Sequence, residues 1–332
     1  MQLEQPRIYL FDNLKAILIT LVVFGHIIEP FAVGWTKIAY IFIYTFHMPL
    51  FIFCSGYFAA CNPQKILTHL LYPYILFQSL YYLLQTFLLK DTVAFQFTTP
   101  YWILWYLFAL IVWVLLIPLL ERFTHSKKGF CALIVCSLLV GIASGCFDDI
   151  GYYMSLSRIA CFFPFFVLGF CLKRANKLKS LLAVVSHKTA RLLLAALVAV
   201  ILLAACLYYN KIELSWLYGS KAYRLDIYFC IRMLVYLCAA IISLFLISIV
   251  PRGKVFFTFV GQHSLPVYLF HGFLMRFFSE YSVLSSVQNP YFRLFLAGLL
   301  SLAIVFLLSS YPFRKVVSPL LAFPFAGRSV KA

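Results

Sequence analysis

The apolar residues of this chain lie in long blocks, many close to the ~20 residues that cross a hydrocarbon core, divided by short stretches that carry lysine and arginine. Soluble helices and strands keep one wet face by spacing polar residues at the period of the element. These blocks offer no such face. With 64% hydrophobic and 11% charged residues in 332, against roughly a quarter charged in an ordinary soluble domain, a water-filled surrounding would leave far too much apolar surface exposed. The lipid bilayer is therefore the solvent, and the expected class is all-α: a polytopic transmembrane helical bundle.

Charged punctuation places about ten helices, near residues 13–34, 38–60, 68–89, 101–120, 129–146, 155–172, 190–209, 227–250, 255–278 and 292–312, in a single integral membrane domain over 1–332. The formal net charge of +17 is spread over short loops, with no zinc-finger spacing and no long basic segment, which argues against nucleic acid as a partner. Basic residues collect instead on cytoplasmic loops. If the chain starts inside, the inner set holds Arg7, Lys65, Arg122, Lys127, Lys128, the run from Lys173 to Arg191, Arg252, Lys254 and the tail residues Arg314, Lys315, Arg328 and Lys331. The outer loops hold only Lys37, Lys90, Lys211, Lys221, Arg224 and Arg293. An even helix count with both termini cytoplasmic satisfies this asymmetry. MQLEQPRIYLFDNLK lacks a small-residue cleavage site before an apolar run long enough to span, so a retained first helix is expected. The ten cysteines fall mostly inside apolar blocks and form no CxxC pair; they read as small buried hydrophobes rather than disulfides or metal ligands.

Ionisable groups within spanning segments cost several kcal/mol unless they pair or line a wet cavity, so each is a functional candidate. The first helix carries Asp12, Lys15, His26 and Glu29. At about 100° per residue they point to about 0, 300, 320 and 260°, one stripe on a continuous helix, with Lys15 and His26 roughly 16 Å apart along the axis. His47 lies at a comparable depth on the second helix. Arg158, Arg232 and His271 fall in the outer halves of the sixth, eighth and ninth, which implies a polar chamber open to the outside. Blander readings exist for each residue alone: a hydrogen-bonded packing histidine for His271, snorkelling for Glu29 and Arg276, a membrane-edge anchor for Lys15, an N-cap for Asp12, close helix packing at Ser55 and Gly56, and an aromatic belt for Trp102 and Trp105. None explains why stripe and depth coincide.

Imidazole is the side chain whose protonation changes near neutral pH, which suits His26 to a general base with Glu29 one turn away to orient it. No nucleophile elbow, HExxH or Walker A loop is present. Base-assisted attack of an acceptor hydroxyl on an activated donor, without a covalent enzyme intermediate, is the economical chemistry. A proton-coupled transporter would use the same residue types.

Five strings, DNLKAILITLVVFGHIIEPF (12–31), FHMPLFIFCSGYF (46–58), WILWYLFAL (102–110), SRIACFFPFFVLGFCLK (157–173) and GQHSLPVYLFHGF (261–273), occur in the order in which they resemble the acyltransferase-3 family of bacterial membrane O-acyltransferases. They are most similar to its fucose 4-O-acetylase-like branch, to which WLYGSKAY (216–223) also bears likeness. The resemblance implies a multi-pass protein of the bacterial cytoplasmic membrane that moves an acetyl group from cytoplasmic acetyl-CoA to a hydroxyl of a sugar or envelope glycan, without a metal. The family's basic-residue-x10-His motif falls on Lys15 and His26, the histidine being the one tied to transfer. Many members carry Arg where this chain has Lys15, a point charge without bidentate pairing, and the family's Arg-x-Arg pair is absent from KILTHLLYPY (65–74). On this reading the catalytic candidates are His26, Glu29, Asp12 and His47, with His47 or Arg158 at the oxyanion. Lys15, Ser55 and Lys65 are candidates for the donor. Arg158, Trp105, Arg232, His271 and Tyr223 are candidates for the acceptor. The alternative is an exporter of a glycan or lipid-linked sugar, against which stands the lack of a visible inverted repeat; homo-oligomerisation is left open.

Overall fold

The computed structural model describes residues 7–90, 95–147, 151, 153–220 and 228–322. Among them every regular element is helical. Eight helices are long and apolar enough to cross a membrane: Tyr9–Phe31, Gly34–Phe58, Trp102–Glu121, Lys127–Cys146, Tyr153–Arg174, Lys188–Tyr208, Phe229–Ile249 and Pro290–Ser309. The protein is a polytopic helical membrane protein.

The α-helical cores are α1 (Tyr9–Ile28), α2 (Gly34–Phe58), α3 (Pro63–Ile66), α4 (Tyr72–Leu83), α5 (Trp105–Glu121), α6 (Lys127–Ala143), α7 (Leu156–Arg174), α8 (Leu178–Ser186), α9 (Lys188–Tyr208), α10 (Ser215–Tyr218), α11 (Tyr228–Ile249), α12 (Thr258–Gln262), α13 (Ser264–Glu280), α14 (Pro290–Ser309) and α15 (Tyr311–Leu321). The ninth helix expected from hydropathy is interrupted, whereas the third keeps helical backbone angles at its junctions and runs through two π turns, at Leu67–Leu71 and Leu84–Leu88. Proline accounts for the break and for the first π turn. Pro73 has no N–H to return to the His69 carbonyl, and the turn before it widens to a π turn at Leu67–Leu71. Pro266 fits the first turn of a helix, where the N–H has no intrahelical partner, but not the interior of one running from 258. The backbone leaves helical geometry at His263 (φ −120°, ψ 34°) and α13 begins anew.

Two compact units are distinguished, with boundaries falling inside α2, α11 and α15: Met1–Cys54, Leu178–Ile212 and Leu237–Tyr311 form one; Ser55–Lys177, Glu213–Tyr236 and Pro312–Ala332 form the other. In the first, α1 is packed by α12, α13 and α14. It is buried on nearly every face, from Leu10 and Phe11 through Leu18, Val23 and Ile28. Its approach to α12 is set by Gly261, where a Cβ would strike the Asp12 carbonyl. In the second unit α7 packs on α5 and α6. Gly56 lies against the Phe166 carbonyl with no room for a Cβ, and the fully buried Trp113 stacks on Phe166 at 5.4 Å while donating to the Ile159 carbonyl at 3.2 Å.

Candidate active site

The α-helix of α1 ends at Ile28, and Glu29 opens a single 3-10 turn through Phe31. The helical phase nevertheless persists to Glu29, whose N–H still reaches the Gly25 carbonyl and whose φ and ψ are −51° and −47°. His26 and Glu29 are thus brought together as their spacing predicts: His26 Nδ1 lies 3.1 Å from Glu29 Oε2. A carboxylate only accepts, so Nδ1 carries the hydrogen and donates, which leaves Nε2 as the basic nitrogen. The Tyr44 hydroxyl lies 3.2 Å from the same Nδ1, and its ring meets the imidazole edge-on. Gly25 makes this approach close: a Cβ there would lie 2.9 Å from Tyr44 Cε2.

His271 on α13 stacks against His26, with ring centroids 5.6 Å apart and planes inclined by 24°. It is completely buried, and its Nδ1 donates to the Val267 carbonyl at 2.9 Å. Its Nε2 is then a bare acceptor, and among the described residues it has no hydrogen-bond partner. His47 is also buried and gives its Nδ1 hydrogen to the Ile43 carbonyl at 2.7 Å, so in this tautomer it has no N–H left for an oxyanion. Tyr44 lies against the His47 ring at 4.7 Å. A cavity of about 100 Å³ adjoins His26 and is lined also by Phe31, Met275, Ser279, Ser282 and Ser285.

Asp12 and Lys15 form a separate cluster at the start of α1. Asp12, its side chain 6% exposed, pairs with Lys15 Nζ at 3.2 Å and Arg7 Nε at 2.6 Å. The hydrogen bond from Arg7 to Asp12 raises the guanidinium above its usual value. The helix begins at Tyr9, so Asp12 sits inside the first turn and caps nothing. Asp12 and His26 share a face but are fourteen residues, roughly 21 Å, apart. Next to Asp12 sits a buried polar staple: Asn13 Nδ2 donates to the Pro251 and Gly253 carbonyls at 2.8 and 2.9 Å, while Asn13 Oδ1 accepts from Thr258 Oγ1 at 2.7 Å. This ties the loop bearing Arg252 and Lys254 to the Lys15 end of α1.

The remaining candidates lie in the second unit. Arg158 spreads its guanidinium over the Trp105 ring at 5.1 Å and donates from Nε to the Tyr218 carbonyl at 3.2 Å. Ser157 donates to the Gly219 carbonyl at 2.9 Å, and Gly219 adopts φ +63° where a Cβ would press on Cys161. Arg232 is fully buried and donates to Cys161 Sγ, beside the Tyr236 hydroxyl, which bonds the Cys161 carbonyl. Ser55 shares a 2.7 Å hydrogen bond with the Tyr106 hydroxyl. Lys65 is exposed in the last turn of α3. Tyr223 lies outside the described residues.

Sequence reading missed Tyr44, Asn13 and Thr258. Tyr44 was traceable in principle, being three residues before His47 and hence on its face of α2; Asn13 and Thr258 meet only through tertiary packing. Among the described residues, no group of three His, Cys, Asp or Glu is placed to hold a metal ion.

The constellation, a carboxylate-oriented imidazole backed by a second buried imidazole on membrane helices, has the parts of a general base. Neither the comparison with curated proteins nor that with solved structures gave a match. A family model described as an acyltransferase domain matches residues 8–310, almost the whole chain and the entire His26 cluster. The chain belongs to the acyltransferase-3 family and is a multi-pass membrane acyltransferase.

Proposed function

We propose that the protein transfers an acetyl group from cytoplasmic acetyl-CoA to a hydroxyl of a sugar or cell-envelope glycan, with His26 as general base, in a bacterial cytoplasmic membrane with both chain termini inside. The observation that carries this reading is the His26 to Glu29 contact at 3.1 Å, which orients the ring and leaves Nε2 able to take a proton. His26 Nε2 removes the hydroxyl proton as the oxygen attacks the thioester carbonyl carbon. The tetrahedral intermediate then collapses, the C–S bond breaks, and the departing CoA sulfur takes the proton from His26. Glu29 balances the imidazolium while it exists.

The hydroxyl of Tyr44 lies on the same Nδ1 side as Glu29, and we assign it to holding the ring; His47, whose Nδ1 hydrogen is held by Ile43, has none to offer an oxyanion in this tautomer. His271, completely buried and stacked on His26, stays an acceptor-side candidate that backs the base, since it does not line the cavity beside it. Lys15, with Arg7 and the loop carrying Arg252 and Lys254, supplies the positive end at which CoA phosphates would rest; Asp12 tunes that cluster rather than the base. Ser55 and Lys65 remain donor candidates, and Arg158, Trp105 and Arg232 acceptor candidates, within the second unit. The strings that resemble the fucose 4-O-acetylase-like branch support an acetyl donor and a glycan acceptor.

Acetyl-CoA-dependent O-acetylation of envelope glycans, read by mass spectrometry in cells expressing wild type or His26→Ala, tests the reading. Loss of acetyl-sized mass increments with His26→Ala is expected; full acetylation by that variant would overturn it.

A further inference from the structure

The cavity beside His26 has two walls. Phe31, just past the end of α1, contributes to one; Met275 and Ser279 of α13, with Ser282 and Ser285 of the loop that follows, form the other. Within that loop Ser282 and Leu284 adopt φ of 46° and 69°, a left-handed region that a leucine rarely enters. Such conformations persist where their surroundings over-determine them, and they gather at ligand clamps. Here Arg293 supplies the constraint. Its Nε donates to the Val287 carbonyl at 2.8 Å at the end of the loop, and its guanidinium lies 4.9 Å from the centre of the Phe31 ring. One side chain therefore ties both walls.

The lining indicates what the cavity accepts. Among the described residues that line it, His26 is the only ionisable one. No arginine or lysine is among the lining residues, and the nearby Arg293 guanidinium is turned onto the Phe31 ring and the Val287 carbonyl, so an anionic group would meet no directly paired countercharge. Three serine hydroxyls can both donate and accept, while Phe31 and Met275 present apolar surface. About 100 Å³ is room for several waters but lies well under the roughly 300 Å³ at which sites for larger ligands begin. One edge of one ring fits. The position separates donor from acceptor: Lys15 lies toward the opposite end of α1, some eleven residues or roughly 16 Å from His26, and Arg7 lies beyond it, before the helix begins.

We infer that this cavity is the acceptor subsite, that it takes the reactive edge of a single uncharged, ring-sized polyol such as one neutral sugar unit, and that the Arg293-tethered loop is its specificity wall. The inference rests on the acyl-transfer reading above. Native membranes are assayed for CoA release from acetyl-CoA with methyl hexosides and with methyl hexuronosides, which carry a carboxylate. Wild type is expected to acetylate the hexosides and not the hexuronosides. Ser279→Phe, which fills the cavity, is expected to raise the KM for methyl hexoside by about tenfold or more while the KM for acetyl-CoA stays within about twofold. Independently of turnover, alkylation of position 285 in Ser285→Cys, followed by peptide mass spectrometry, is expected to slow about fivefold under a methyl hexoside well above its Kd and not under acetyl-CoA. A KM shift confined to acetyl-CoA, protection by acetyl-CoA alone, or equal use of hexuronosides overturns the assignment. CoA release by wild type no greater than by His26→Ala with every glycoside would instead sink acyl transfer itself, and the alkylation pattern would still decide whether the cavity takes a neutral ring.

Discussion

Replacing Glu29 by glutamine keeps a hydrogen-bond acceptor beside His26 Nδ1 but removes its charge. The consequence appears only when His26 becomes an imidazolium, in the transition state. Hydrogen bonds to charged groups contribute about 1.5–3 kcal/mol and neutral ones about 0.5–1.5. The Glu29 side chain is 36% exposed, so water screens part of the difference, and about 1 kcal/mol is the magnitude to expect. That is a roughly fivefold fall in kcat. Because the effect is confined to the transition state, KM for acetyl-CoA should hold. His26→Ala should cost about 10²–10⁴-fold, the range for a general base, and Glu29→Gln added to it should cost nothing more, since the carboxylate acts through the ring. The assay is acetyl-CoA-dependent CoA release in native membranes at saturating glycoside, with expression normalised. Wild-type kcat in Glu29→Gln, or the same fivefold loss on top of His26→Ala, would refute the dyad.

Asn13→Leu removes three hydrogen bonds and strands the Pro251 and Gly253 carbonyls; a loss of about 3 kcal/mol is expected, read as a lower Tm in detergent, and an unchanged Tm would deny the staple its role. Gly261→Ala should destabilise by about 1–3 kcal/mol, because its Cβ meets the Asp12 backbone rather than a movable side chain; Gly253→Ala, with nothing within 4 Å of its Cβ, is the control and should be near neutral. Arg158→Lys keeps the charge but loses the flat contact with Trp105 and the bond to Tyr218. A fall in stability of about 1–2 kcal/mol is expected, with a Tm equal to wild type as the contrary result.

The membrane class and the His26 to Glu29 pair were readable from the chain itself, and for one physical reason: each depends on local spacing; of the ten spans expected, eight helices are long and apolar enough to cross a membrane. Apolar block length alone decides whether a segment can cross a bilayer, and a three-residue offset on a helix decides whether two side chains meet. Proline positions carried information of the same local kind, and the π turn before Pro73 and the break before Pro266 follow from a missing N–H. What no spacing rule reveals is which faces of different helices come together. The stack of His271 on His26 joins residues 245 positions apart, and Asn13 finds Thr258 across the same distance. The stripe on α1 was legible as a stripe, yet only packing divided it into an Asp12, Arg7 and Lys15 cluster at one end and a His26, Glu29, Tyr44 and His271 cluster at the other. The cavity beside His26 is likewise a tertiary product: its walls come from α1, α13 and a loop held by Arg293, and its shape depends on how those elements fill space together.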